Sequence, residues 1–221
     1  MADWEGYADD RELLGQLEAF YYKDILNKKL ILDAACGDGA LLEPLKKSGS
    51  QFEKIIGLDI SFKRLERCRG RVNNAQFIQA SITDLPFKAN TFDAVAAIYV
   101  FEHLPNNQTH KMCNELNRVL SKEGCLVLAV PNKWSYRISY TLGSLFKKTP
   151  PPDYTHINMM TFKQYKQCLE RVFHIKDVKI VGLPYIRILS KLGLGRVISR
   201  MWKRWAVGFC FILEKAEGEI Q

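Results

Sequence analysis

Apolar residues fall in short unbroken runs, separated by stretches where they recur every three or four positions. The runs at 29–34, 54–59, 75–79, 93–99, 124–130, 175–181 and 207–213 are strand-sized, and each is expected to be a β-strand. Between the first five, helical spacing marks 39–48, 61–71 and 109–121, and a further helix is expected over 161–171. Strands alternating with helices imply a parallel sheet covered by helices on both faces. The expected fold is therefore α/β, a doubly wound, seven-stranded, mostly parallel sheet. Asp33 and Asp59 end the first two strands, at the carboxyl edge where such sheets bind ligands.

The alternation stops after Pro131. Residues 131–152 are rich in Trp, Tyr, Lys and Pro and include Pro150-Pro151-Pro152, which reads as a loop or cap because proline lacks an N–H and fixes φ. A second irregular segment, 182–205, separates the last two strands. The chain is expected to form one domain over 1–221: an N-terminal helical lid (1–28), a ligand-binding core (29–132) and two substrate-side insertions (133–160 and 182–205).

Composition narrows the class. Apolar residues make up 47% and charged residues 25%, ordinary for a globular protein and unlike a disordered, collagenous or coiled-coil chain. No apolar run approaches the roughly 18 residues of a membrane span, and the first residues, Met1-Ala2-Asp3-Trp4-Glu5, lack the basic and apolar regions of a secretory signal. The six cysteines form no C-x-x-C pair and have no closely spaced histidines, so no metal site is expected and a reduced, cytoplasmic protein is. Net charge is +8, unevenly placed: residues 1–30 hold seven acids against four bases, whereas 184–205 hold six bases and no acid.

The most informative stretch is Asp33-Ala34-Ala35-Cys36-Gly37-Asp38-Gly39, where a buried strand turns tightly into a helix. Glycine permits φ > 0 and lets a ligand approach the main chain. Asp59 stands twenty residues beyond Gly39, where a carboxylate can accept both ribose hydroxyl protons, so a nucleoside is the expected ligand. A dinucleotide fits less well. Leu42 occupies the third small position of G-x-G-x-x-G, and Asp38 would place negative charge near a phosphate. Asp33 suits a cationic ligand such as a sulfonium or ammonium.

These residues resemble the class I S-adenosylmethionine-dependent methyltransferases. The turn 33–39 is similar to their D-x-G-C-G-x-G motif, and Ile56-Gly57-Leu58-Asp59-Ile60-Ser61 to their second motif. Gln79 to Phe87, followed by Asn90-Thr91-Phe92-Asp93, resembles their adenine loop and fourth strand, and Glu115 to Leu120 with Gly124 and Leu126-Val127-Leu128 continues the likeness. It covers 29–132 continuously and 156–213 weakly. It implies strand order 3-2-1-4-5-7-6 with the last strand antiparallel, S-adenosyl-L-methionine as cofactor, and contacts from Asp33, Ala35, Cys36, Gly37, Gly39, Asp59, Ile60, Ser81, Ile82, Ile98 and Tyr99, with Tyr7 as a lid residue. Two positions depart from the family. Ala35 replaces a glycine and is expected to avoid φ > 0, opening the turn slightly, and Ser81 replaces an acid that meets the adenine amino group.

The step Glu102-His103-Leu104 after the fourth strand resembles a subset that includes ubiquinone-pathway O-methyltransferases. His103 is a candidate base, its ordinary pKa near 6.5 suiting neutral pH, though bracing of the loop by Glu102 and His103 is the favoured reading. His156 is a second candidate on the substrate side, against the alternative of a loop histidine bonded to backbone; His110 and His174 carry no functional expectation. Trp4, Tyr7, Phe20, Tyr21 and Tyr22 could wall off water as a lid, with Tyr7 the better candidate, since Phe20 to Tyr22 read at least as well as a helix packing its aromatic stripe on the sheet.

The expected activity is in-line transfer of a methyl group to a small-molecule acceptor, lipid-like if the aromatic N-terminus and insertions line its pocket. RNA methylation is weaker: there is no N-P-P-Y-like step after Ile98 and no Pro-Cys nucleophile. A non-catalytic nucleoside-binding protein is the third reading. In 184–205, Leu194, Val197, Ile198, Met201 and Trp205 oppose Arg196, Arg200, Lys203 and Arg204 at helical spacing. Ordinary packing is favoured there, with peripheral membrane contact next and nucleic acid after it.

Overall fold

The computed structural model describes residues 25, 28–42, 45, 52–72, 75–137, 154–181, 206 and 208–216. In chain order the elements are β1 (Leu30–Ala34), β2 (Lys54–Asp59), α1 (Phe62–Arg71), β3 (Gln76–Gln79), β4 (Phe92–Ile98), a 3-10 turn (Phe101–His103), α2 (Asn106–Val119), β5 (Leu120–Pro131), α3 (Phe162–Leu169), β6 (Phe173–Val181) and β7 (Gly208–Lys215). They build one seven-stranded sheet of order β3-β2-β1-β4-β5-β7-β6, as expected. β1 to β5 pair in parallel, while β7 runs antiparallel to both β5 and β6.

Strand periodicity explains the unbroken apolar runs. Ile31, Ile55, Ala94, Ala96, Val127 and Ile212 point to one face, with Leu65 and Cys68 of α1. Their neighbours Leu32, Ile56, Val95, Leu126 and Phe211 point to the other, against Met112 and Leu116 of α2 and Tyr165 of α3. Both faces are buried, so both phases of the alternation must be apolar.

The strand order reverses between β1 and β4, both hydrogen-bonded to neighbours that lead away from them. Loops leaving their carboxyl ends diverge there and open a crevice. The turn after Ala34 and the segment 99–103 both start at that crevice.

Two boundaries differ from expectation by three residues or more. α2 begins at Asn106 rather than 109, because Gln108 and Thr109 donate to the Pro105 carbonyl while 106–108 stay exposed and carry no apolar signal. β5 begins at Leu120 rather than 124. Its register slips between Phe92↔Leu120 and Ala94↔Cys125, so a bulge hides the early pairing from a period-two reading.

Candidate active site

The turn after β1 is held from both sides. Ala35 and Cys36 both donate to the Leu58 carbonyl, at 2.7 and 2.9 Å, and Gly39 donates to the Cys36 carbonyl at 2.9 Å. Ala35, Gly37 and Gly39 take φ of 70°, 54° and 87°. Ala35 therefore does not avoid positive φ, correcting the expectation of an opened turn. The two bonds to Leu58 fix its peptide, and a lone methyl tolerates the left-handed region at about 1–2 kcal/mol. Ala35→Gly should recover part of that cost, about 0.5–1 kcal/mol after glycine's greater freedom in the unfolded chain. Thermal unfolding should show a rise of about 1–4 °C; an unchanged or lower midpoint would mean that Ala35 is unstrained.

Asp59 ends β2 with both carboxylate oxygens oriented: Oδ2 accepts from Gly37 N–H at 2.9 Å and Oδ1 from Ser61 N–H at 2.8 Å. Each oxygen keeps a second lone pair for a ligand hydroxyl. Asp33 is 2% exposed, and its Oδ2 finds no hydrogen-bond partner among the described residues. Burial first, then the nearby charge of Asp59, push Asp33 up to about 8. A buried carboxyl with an unused oxygen is a place prepared for a donor or cation. These groups fit a nucleoside carrying a cationic tail.

Leu42 is wholly buried, and the close helix–strand approach is provided by the strand. A Cβ on Gly57 of β2 would lie 3.0 Å from Leu42 Cδ1, from Cys36 Sγ and from Phe77 Cδ1. Asp38 turns to α1 and pairs with Arg67 Nε at 2.8 Å, so its charge is partly compensated.

The other expected contacts separate into two groups. Ile60 is 71% exposed at the tip of β2, where its side chain is open to a ligand. Tyr99, at the end of β4, takes φ 52° while its N–H bonds to Ala129 O; an aromatic residue in that region marks stored strain. By contrast, the side chains of Cys36 and Ile82 belong to the two cores and Ile98 packs against one of them, so only their main chain is left to face a ligand. Ser81 Oγ is engaged locally, 2.8 Å from Thr83 Oγ1 and accepting from Thr83 N–H. Tyr7 lies outside the described residues, as do the rest of 1–24 and the basic segment 184–205.

The loop 80–90 is clamped by a group whose role the sequence did not reveal. Glu115 Oε2 accepts from Leu85 N–H at 2.7 Å, while Arg118 donates to the Phe87 and Leu85 carbonyls and to Glu115. The Arg118 guanidinium holds Glu115 below its ordinary pKa, with the Leu85 bond adding to the effect. The i,i+3 spacing of the pair was the available signal.

His103 and His156 are brought together, their ring centroids 4.9 Å apart, with Tyr136 at 5.5 Å from His156. His103 Nδ1 lies 3.2 Å from Thr155 O and 3.1 Å from Thr155 Oγ1, and Asn158 N–H donates to Glu102 O at 3.0 Å. The bracing expected of Glu102 and His103 is thus the contact that delivers His156. Glu102 is wholly buried, and its charge helps to raise Tyr165 after the larger effect of that phenol's own burial. Trp134 in the helical turn 133–137, and Tyr154 and Ile157 in the loop before α3, expose apolar surface.

Residues 31–124 match the family described as "Methyltransferase domain". That stretch is similar to the class I S-adenosylmethionine-dependent methyltransferases, whose sheet order the chain shares. An uncharacterised protein of Methanocaldococcus jannaschii is 38% identical over 124 residues, covering 55% of this chain and 50% of that protein. A demethylmenaquinone methyltransferase of Thermotoga maritima is 32% identical over 130 residues, covering 58% and 55%. The chain spans about half the length of these curated relatives. A methyltransferase structure from Archaeoglobus fulgidus shares the fold at TM-score 0.66 and 20% identity, covering 93% of this chain and 94% of that one. The methyltransferase fold explains the strand order, and the match to the family ends close to where β5 begins.

Proposed function

We propose that this protein transfers a methyl group from S-adenosyl-L-methionine to a small, largely apolar acceptor. The observation that carries the reading is the turn 35–39, tied to β2 by Leu58 O and by the Asp59 carboxylate, beside the unused Oδ2 of Asp33. Asp59 would take the ribose hydroxyls, Ile60 would cover the adenine, and the backbone at 81–82 would meet its edge. Asp33 would face the cationic end. Bound there, the cofactor supplies an electrophilic methyl on a sulfonium, and the chain has mainly to align acceptor and donor and exclude water, worth up to about 7–11 kcal/mol.

His103 and His156 would face the acceptor and take its proton if the nucleophile carries one. The exposed Trp134, Tyr154 and Ile157 suit an apolar ring or tail at that end. The Thermotoga relative, by its name, methylates demethylmenaquinone, an acceptor of this kind. Residues 1–221 would act as one catalytic unit.

The test is incubation of purified protein with cell extract and methyl-labelled cofactor. Label extracted into organic solvent supports the proposal. Label retained on RNA replaces the acceptor class, and no transfer from any extract returns the protein to nucleoside binding.

Asp33 supplies a further expectation. With its carboxyl raised to about 8, the site holds a proton at pH 7 before a cation arrives. Cofactor affinity should therefore rise from pH 6 to 8, by up to about tenfold per unit, and level off above. Calorimetry in buffers of different ionisation heat should detect proton release at pH 7, absent in Asp33→Asn. For folding, the sign is opposite. The neutral form is favoured in the native state, so Asp33 costs nothing below its ordinary 3.8 and opposes folding increasingly as pH climbs toward 8. A pH-independent affinity would remove Asp33 from the cofactor site.

A further inference from the structure

Glu102, His103 and His156 offer one carboxylate oxygen and two ring nitrogens that lie within 4.8 Å of one another. Spacing along the chain concealed this, because His156 stands 53 residues after His103 and the expectation of no metal rested on near neighbours. The 3-10 turn after β4 and the loop before α3 bring the groups together through the Asn158–Glu102 and Thr155–His103 bonds.

We propose that these three side chains form a binding site for a divalent transition-metal ion. Two imidazoles and one carboxylate are a donor set suited to zinc, manganese or iron(II), and they leave coordination positions open. Bond lengths of about 2.0–2.2 Å place such donors roughly 3.0–3.5 Å apart, so small side-chain rotations close the set from 4.8 Å.

Two further features point the same way. Thr155 holds His103 Nδ1 with a carbonyl and a hydroxyl, the outer support that orients a metal-bound imidazole, and coordination would then use Nε2. Asn158, whose main chain is bonded to Glu102, has a buried side-chain Nδ2 with no acceptor among the described residues. A water or substrate oxygen on the ion would supply that acceptor.

The ion's binding is independent of the methyl-transfer proposal, but its use rests on that reading. An acceptor hydroxyl bound to the ion would lose its proton to water more readily, and the oxygen lone pair would form the O–CH3 bond as the S–CH3 bond of the sulfonium breaks, its electron pair returning to sulfur to release S-adenosylhomocysteine. The two histidines would hold the ion in place of the proton.

The test uses the full chain after chelator treatment, with zinc(II) and manganese(II) as probes. Calorimetry and metal analysis after gel filtration should give one ion per chain. His103→Ala and His156→Ala, both only partly buried, should each weaken binding by about 100-fold or more. Thermal unfolding and S-adenosylhomocysteine binding, measured on the same samples, verify that the variants remain folded. Cobalt(II) should give weak visible bands without the intense sulfur-to-metal absorption that adventitious binding to the cysteines would produce. No retained ion, undiminished affinity in both variants, or a sulfur-to-cobalt band overturns the site. Homocysteine-nucleoside binding without metal retention overturns the ion alone; metal retention without nucleoside binding overturns the methyltransferase activity alone.

Discussion

Gly39→Ala should abolish measurable binding of S-adenosylhomocysteine and destabilise the fold by about 2–5 kcal/mol. Two costs combine. Gly39 sits at φ 87°, where an L side chain is strained by about 1–2 kcal/mol. Its added Cβ would also come within 2.5 Å of Cys68 Sγ and 3.3 Å of Val72 Cγ2, overpacking worth about 1–3 kcal/mol. Cys68 is wholly buried in α1 and cannot swing into solvent. The turn must therefore shift, and the shift reaches the Gly37–Asp59 bond two residues away. The double variant Gly39→Ala/Cys68→Ala relieves the collision and leaves the dihedral strain, so it should recover only part of the lost stability. Urea unfolding with calorimetry reads both quantities. Wild-type stability and affinity in the single variant would show that the turn tolerates a side chain and is not under the constraint described.

Asp59→Asn should weaken nucleoside binding by about 100-fold or more. The substitution keeps size and shape but removes the charge and turns one acceptor into a donor. Gly37 N–H and Ser61 N–H now meet the two carboxylate oxygens, and one of them would face an amide N–H instead. Hydrogen bonds to a charged group contribute about 1.5–3 kcal/mol each, so losing the proposed ribose contact and misplacing the turn together reach that range. Removing the charge should also lower Asp33, since Asp59 is the second cause of its raised pKa. The pH at which cofactor affinity levels off should then fall below 8. A variant that binds as wild type, with the same pH profile, would take Asp59 out of the site.

Much of this architecture was readable in the amino acids because parallel strands buried on two faces leave an unmistakable trace. Leu30–Ala34 and Lys54–Asp59 are strands with nearly the expected limits, since both phases of each had to be apolar. The start of β5 was not readable, because a bulge breaks the register before Cys125. Alpha-carbon strain was misjudged at Ala35, where tertiary hydrogen bonds to Leu58 override a local preference. The same limit applies to chemistry. Asp33 adjoins the turn, and Asp59 ends the next strand at a spacing that could be read from the chain. The approach of Glu102, His103 and His156 depends on a contact between distant loops, which no local pattern encodes. Glu115 and Arg118 stand at a helical spacing that permits a pair, but nothing in the chain pointed to the loop they clamp.

The most direct measurement is calorimetric titration of the wild-type chain with S-adenosylhomocysteine and, separately, with NADH. A turn closed by Gly37 and Asp59, with Leu42 filling the space a third glycine would leave, should give a one-site isotherm with the first and no heat with the second. A clear isotherm with NADH and silence with the homocysteine nucleoside would contradict it.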